Sequence, residues 1–135
     1  MKTEQLLQVA AGVILHPMHP GKFLLSKRPM DRHLGGLWEF AGGKIEADET
    51  PERAIIRELK EEFDVEVTVN KKVTHHIYHY PEVSLELHTF EVVITSGDIK
   101  LLEHDEISWV TIDDVDKYPI APSNKMIIDY LRIKH

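Results

Sequence analysis

Two hydrophobic periods run along this chain, and the places where one gives way to the other mark its elements. LLQVAAGVIL (Leu6–Leu15) is an apolar run of strand length and predicts a buried strand. HPMHPG, with two prolines and a glycine, predicts a turn, and KFLLSKR (Lys22–Arg28) predicts the returning strand. PMDRHLGG reads as a loop, and LWEF as a short extended piece leading into Gly42 and Gly43. The period then lengthens. Ile55, Leu59 and Phe63 recur every fourth residue and predict a helix from about Pro51 to Phe63, with Thr50 as N-cap and Pro51 at the first helical position. Asp64 stands where glycine is the usual stop; aspartate enters the left-handed conformation more readily than most residues, though less readily than glycine. VEVTV, KKVTHHIYHY and VSLELHTFEVVI follow as strands, the last alternating over Val83, Leu85 and Leu87 as a half-exposed strand does. ISWVTI (Ile107–Ile112) predicts one more strand and DDVDKY a short helical turn. A final helix from near Ser123 is expected to carry Met126, Ile127, Tyr130 and Leu131 inward. No repeat, low-complexity tract or long linker interrupts this order, so residues 1–135 are expected to form one α+β domain with helices packed on a sheet.

The central helix carries an awkward charge pattern. GGKIEADETPERAIIRELKEEFDV (Gly42–Val65) holds eight carboxylates in 24 residues, and Glu58, Glu61 and Glu62 fall within five positions. Like charges on neighbouring turns cost a helix ~0.2–0.5 kcal/mol per pair. Advancing about 100° per residue from Ile55, the core stripe is Ile55, Ile56, Leu59 and Phe63. Glu62, Glu58 and Glu61 border that stripe in this order, and Arg53, Arg57 and Lys60 lie beyond them. The acidic stripe is therefore expected in the wall of a groove, half desolvated. Glu61 has Arg57 four residues before it; Glu58 and Glu62 have no cation at their helical neighbour positions. Unpaired carboxylates at a core edge raise each other's pKa and cost stability. A hard divalent cation such as Mg²⁺ removes that conflict. The common reading of glutamates on a helix is a solvated acidic face; the residues in front of the helix decide against it.

Composition narrows the function classes. Hydrophobic residues make up 42% and charged residues 29%, enough for a real core. The chain has no cysteine, which excludes disulfides, thiolate metal sites and thiol catalysis and fits a reducing, cytoplasmic location. The N-terminal apolar run is too short to span a bilayer and is preceded by Glu4, so no signal peptide, transmembrane segment or membrane partner is expected. A net charge of −7 without a basic stripe argues against a nucleic-acid partner. The same charge would repel a polyphosphate unless divalent cations stood between. Charge and carboxylate cluster thus point to metal from different sides.

Gly43, Glu49, Arg57, Glu58, Leu59, Glu61, Glu62 and Val65 stand at the fixed spacings of the Nudix hydrolase signature, which this stretch resembles; Asp64 departs from it where the family has glycine. The resemblance extends over nearly the whole chain, to the MutT-type branch. It implies an αβα sandwich on a mixed β-sheet, with a central catalytic helix and a C-terminal helix. It also implies a pyrophosphohydrolase that cleaves a nucleoside triphosphate to monophosphate and pyrophosphate with Mg²⁺, or Mn²⁺ in its place. Carried over residue by residue, Glu58, Glu61 and Glu62 match metal-binding glutamates, and Gly42 matches the position whose carbonyl joins them. Glu49 matches the glutamate that pairs with Arg57 and holds the loop to the helix. Lys44 sits where a family lysine reaches phosphate. LEHDEISWV resembles the loop that brings one more carboxylate to the metals, with Glu103 the better match and Glu106 the runner-up. Glu61 and Glu103 are the two choices for general base.

YPIAPSN (Tyr118–Asn124) resembles the segment in which MutT-type enzymes place a base-contacting Asn or Asp, and Asn124 matches that position. GLWEFAGGK (Gly36–Lys44) is identical to the form found in a related branch acting on cytidine-type nucleotides. Oxidised guanine, as in 8-oxo-dGTP, and a pyrimidine triphosphate therefore both stay open, as does Asn124 as a simple helix cap. Arg28 and Phe40 match nucleotide-pocket positions; a surface charge and a core aromatic are their plain alternatives. Trp38 and Trp109 read as core. His75, His76 and His79 tempt toward zinc, but spacing along one strand is long for joint ligation. An ADP-ribose hydrolase is an alternative that Pro81 does not decide. A non-catalytic nucleotide-binding domain is another, disfavoured by the intact glutamate set. Oligomeric state leaves no trace in the sequence.

Overall fold

The computed structural model describes residues 6–19 and 21–134; Pro20 of the expected turn and Glu4 lie outside them. Strand β1 (Leu6–Leu15) is the spine of a seven-stranded mixed sheet. It runs parallel to β6 (Ser84–Ser96) on one side, and on the other is antiparallel to β2 (Phe23–Lys27) and β4 (Gly42–Lys44). Strand β2 in turn pairs with β3 (Trp38–Glu39) and β7 (Glu106–Val110), and β6 pairs with β5 (Glu66–His79). Alternation along β1 sends Ala10 and Ile14 to one face and Ala11 and Val13 to the other, and all four are buried. Each face is roofed by a helix. On one, Ile55, Leu59 and Phe63 of α1 (Pro51–Phe63) pack with Ala10, Ile14, Phe90 and Val92. On the other, Ile127, Ile128 and Leu131 of α2 (Lys125–Lys134) pack with Ala11, Val13, Val73 and Leu87. The architecture is α+β, an αβα sandwich.

Helix α1 has the expected bounds. The Thr50 side chain accepts from the Arg53 N–H at 3.1 Å, and Asp64 stops the helix in the left-handed region at φ 58°. The Asp64 carboxylate is held by Lys100 at 3.0 Å and Lys60 at 3.2 Å, so the residue that replaces glycine brings its own anchors. Two of the last-turn carbonyls meet a loop: Lys100 N–H donates to Phe63 O at 2.9 Å, and Leu102 N–H to Glu62 O at 3.2 Å. That capping fixes the following residues, Glu103 and His104, beside the helix.

Three expectations need correction. VEVTV and KKVTHHIYHY are one strand, β5, whose register against β6 slips after Glu66 and near Asn70 and Val73. Strand β6 is not half-exposed. It lies between β1 and β5 under both helices, so Leu87 and Phe90 are buried on opposite faces. The C-terminal segment opens with a 3₁₀ turn (Pro122–Asn124) before α2, which rotates the helix so that Ile128 faces inward and Met126 is 51% exposed. Among the described residues no helix is long and apolar enough to cross a membrane.

Asp64 supplies a test of the helix stop. Asp64→Gly removes the cost of a left-handed side chain and should leave stability unchanged or higher. Asp64→Val, which keeps that cost and loses both lysines, should lower it by about 1–2 kcal/mol in urea unfolding.

Candidate active site

Strand β4 and helix α1 lie together because β4 has no side chains in the way. A Cβ at Gly42 would stand 1.9 Å from the Ala10 carbonyl oxygen, and one at Gly43 would stand 2.5 Å from the Glu58 carboxylate. Glycine at position 43 is what allows Glu58 to lie against the strand backbone.

Arg57 is the organising cation. Its Nε and Nη2 donate to the two oxygens of Glu49 at 2.7 and 2.9 Å, a bidentate fork. Nη2 also donates to the Lys44 carbonyl at 2.9 Å, so both ends of the loop between β4 and α1 are tied to the helix. Nη1 reaches Glu58 at 2.9 Å and Glu61 at 3.2 Å. The expectation that Glu58 lacks a cation is therefore wrong: turned aside by Glu49, the long arginine reaches its immediate neighbour, a pairing that helical spacing does not provide. Glu49 is held down to about 2, chiefly by the Arg57 hydrogen bond, and Arg57 is raised in return.

The three glutamates form a gradient. Glu61 is exposed, Glu58 half-buried and Glu62 buried. Burial raises Glu58, with the Arg57 hydrogen bond opposing it. Burial, followed by the charges of Glu58, Glu39, Glu103 and Glu61, pushes Glu62 up to about 9. Beside Glu62 lies the buried ring of His104, stacked on Phe63 with centroids 5.5 Å apart. Its Nε2 is 3.1 Å from Glu39 Oε2 and 3.6 Å from Glu62 Oε1.

These groups line a cleft of about 240 Å³ in which five carboxylates (Glu39, Glu58, Glu61, Glu62, Glu103) face two cations, Arg28 and Arg32. Among the described residues Glu62 Oε2 is buried without a hydrogen-bond partner. An orphaned carboxylate oxygen surrounded by further carboxylates, with an open cleft in front, is an arrangement that a hard divalent cation completes. The donor set fits such an ion.

An apolar pocket of about 280 Å³ adjoins the cleft and shares Arg28, Glu39 and Gly42 with it. Val9, Phe40, Leu85 and Leu87 supply its apolar wall, and Lys44 and Asn124 line it too. Phe40 is both core and pocket, packed on Phe23 at 5.6 Å. Asn124 is buried; its Oδ1 accepts from the Phe40 N–H at 2.9 Å and its Nδ2 donates to Ser123 Oγ at 3.1 Å. One lone pair of its amide oxygen is thus engaged, and one of its two nitrogen hydrogens stays available as a donor. Arg28 is held at the boundary by Glu39 at 3.2 Å and the His33 carbonyl at 2.9 Å. Glu103 lines the cleft and pairs with Arg32 at 3.3 Å; Glu106 is turned away, 3.8 Å from Lys27. Trp38 is core, whereas Trp109 is half-buried under His16. Glu39, His104 and Arg32 were not singled out in the sequence. Glu39 was hidden in an apolar piece, though a lone carboxylate just ahead of Gly42 and Gly43 is a signal in hindsight.

A NUDIX domain family model matches residues 10–130. The chain is 34% identical over 125 residues to the CTP pyrophosphohydrolase of Escherichia coli, covering 93% of this chain and 90% of the relative. It is 40% identical over 92 residues to the 8-oxo-dGTP diphosphatase of Proteus vulgaris, covering 68% and 80%. Among solved structures, the E. coli ORF135 protein superposes with a TM-score of 0.81 at 32% identity over 96% of this chain and 91% of that one. A MutT protein from Methanosarcina mazei superposes with a TM-score of 0.85 at 22% identity over 99% of both, a likeness of fold.

Glu62 sets a pH dependence. Its pKa is raised on folding from 4.5 to about 9, so the protonated form is favoured in the folded protein. The metal-free protein should be most stable with respect to this group below 4.5 and lose stability steadily as pH rises toward 9. Glu62→Gln, neutral at every pH, should flatten that decline and raise the metal-free Tm at pH 8. An unchanged pH slope in thermal scans would show that Glu62 is ionised in the fold.

Proposed function

Because the chain belongs to the NUDIX domain family, we propose that it hydrolyses nucleoside triphosphates to nucleoside monophosphate and pyrophosphate. Divalent cations, Mg²⁺ with Mn²⁺ as substitute, would stand between protein and phosphates. The observation that carries the proposal is the common wall of the acidic cleft and the apolar pocket. Arg28, Glu39 and Gly42 belong to both, so a phosphate chain in one continues into a base in the other. The ions would be held by Glu58, Glu61, Glu62 and Glu103 with the Gly42 carbonyl, and when bound they neutralise phosphate charge and orient the leaving group.

The chain's own residues have distinct tasks. Arg57 and Glu49 fix the loop and the helix relative to each other, which sets where Glu58 and Glu61 stand. Arg28, on the boundary, and Lys44 bring positive charge to the phosphates. A water attacks a phosphorus of the triphosphate, its proton passes to a carboxylate, the bond to the bridging oxygen between the α- and β-phosphorus breaks, and nucleoside monophosphate and pyrophosphate are released. Glu61 and Glu103 are the acceptors proposed, since both line the cleft and both are accessible. Phe40 offers the base an apolar face, and Asn124 offers it a hydrogen-bond donor. A donor suits a base carbonyl, which oxidised guanine and cytosine both carry. The oxidised-guanine reading stands first on the Asn124 position. The pyrimidine reading is favoured by the 34% identity with the E. coli CTP enzyme and by the GLWEFAGGK stretch.

A panel of nucleoside triphosphates with Mg²⁺ should yield pyrophosphate as first product; orthophosphate in its place would reject the reaction. Glu61→Gln or Glu103→Gln should lower kcat by about 10²–10⁴-fold for the true proton acceptor, with the unfolding midpoint kept. Asn124→Asp keeps an oxygen for the Phe40 N–H but exchanges the free donor for an acceptor. It should reorder the bases, and a uniform loss across the panel would make Asn124 an anchor only.

A further inference from the structure

The histidines of β5 gain a meaning from the strand beside them. Along β5 the side chains alternate: the buried His76 turns to the Ser123 carbonyl at 2.9 Å, on the α2 side, while His75 points to the α1 side. There His75 stands directly opposite His88 of β6, and their rings stack with centroids 4.2 Å apart. Glu86, two residues before His88, shares that face, and its carboxylate is 2.5 Å from His75 Nε2. One ligand atom from each of His75, Glu86 and His88 lies within 4.8 Å of the others. His75 and His79, four residues apart on one strand, stand too far apart to share an ion, whereas His75 and His88 stand opposite each other on neighbouring strands.

The cluster is oriented by a third strand. Gln8 of β1, in register with Glu86, donates from Nε2 to Glu86 Oε1 at 2.7 Å. A carboxylate only accepts, so the amide nitrogen must be the atom facing Glu86, and Gln8 Oε1 must face His88, 2.9 Å from its Nε2. That oxygen only accepts as well, so Nε2 of His88 carries hydrogen and the lone pair of the neutral ring is on Nδ1. Burial, then the charge of His75, lowers the His88 pKa and favours that neutral ring. The Glu86 carboxylate opposes that shift, and Lys72 and Glu52 are the further charged groups whose fields reach the ring. A histidine whose second nitrogen is tied to an amide oxygen has the outer-shell support typical of a metal ligand.

We infer that His75, Glu86 and His88 form a second divalent-metal site, distinct from the acidic cleft, for a borderline ion of the Zn²⁺ type. Two imidazoles and one carboxylate are a Zn²⁺ ligand set that leaves a fourth position for water. None of the three lines the acidic cleft, whose carboxylate-rich wall suits Mg²⁺ instead. Ligand atoms of a tetrahedral Zn²⁺ site stand about 3.4 Å apart, as its bond lengths require. Binding would have to close the present spread, and His75, the exposed member of the stack, is the side chain with room to turn. Through Gln8, whose carbonyl accepts the Ile45 N–H at 2.9 Å, the site also touches the loop that leads into α1. The inference is independent of the nucleotide reaction.

The test is Zn²⁺ titration of the full chain in excess Mg²⁺, followed by calorimetry and by imidazole nitrogen NMR. One Zn²⁺ per chain should bind and shift the ring nitrogens of His75 and His88 together. His75→Ala changes an exposed side chain and should keep the backbone amide spectrum while weakening Zn²⁺ by about tenfold or more. Zn²⁺ that moves neither ring, that settles on His16 and His19 instead, or that binds His75→Ala as tightly as the parent protein would overturn the inference.

Discussion

A buried carboxylate has to be neutral, paired or bound to a cation, and Glu62 is where this protein meets that constraint. The residue is fixed in place by what surrounds it. Ile55, Leu59 and Phe63 must face the sheet, so the position flanking Ile55 on the helical surface is drawn to the core edge. Arg57 cannot relieve it, because its donors are already spread over Glu49, Glu58, Glu61 and the Lys44 carbonyl. His104 comes within 3.6 Å of one oxygen and leaves the other without a partner. From exposed Glu61 to buried Glu62 the carboxylates become progressively harder to ionise without a cation.

The same geometry explains why the neighbouring elements are built as they are. Two glycines let β4 press against β1 and against Glu58, which sets one wall of the cleft. The loop that caps the end of α1 sets the other wall, since its N–H groups must find the carbonyls of Phe63 and Glu62. Capping a helix and delivering Glu103 are thus one act. On the far side, Asn124 binds the Phe40 N–H and the Ala121 N–H donates to Trp38 O, so the segment before α2 is sewn to the strand that borders the cleft. Under the proposed function, base recognition and phosphate chemistry share the short link between β3 and β4, Glu39 to Gly42.

Legibility followed the range of the forces involved. Helix α1 and its caps depend on neighbours within a few residues, and Thr50, Pro51 and Asp64 disclosed them. The glutamates beside the core stripe were readable from angles alone. What escaped was set by tertiary contact. Glu39 and His104 enter the cleft from separate strands and loops, and no period joins them. The reach of Arg57 to Glu58 depends on Glu49 turning its guanidinium. Met126 was misjudged because a 3₁₀ turn before α2 changes the phase of the helix. Pairing of His75 with His88 depends on a β5–β6 register that three irregularities have already shifted.

The central claim is that the carboxylates of the cleft are arranged around divalent cations. Crystals soaked in Mn²⁺ and measured at the manganese absorption edge test it most directly. The account predicts anomalous density within bonding distance of Glu62 and Glu58, and its loss in Glu62→Gln. Density confined to exposed acids elsewhere, with the cleft holding only water, would contradict it.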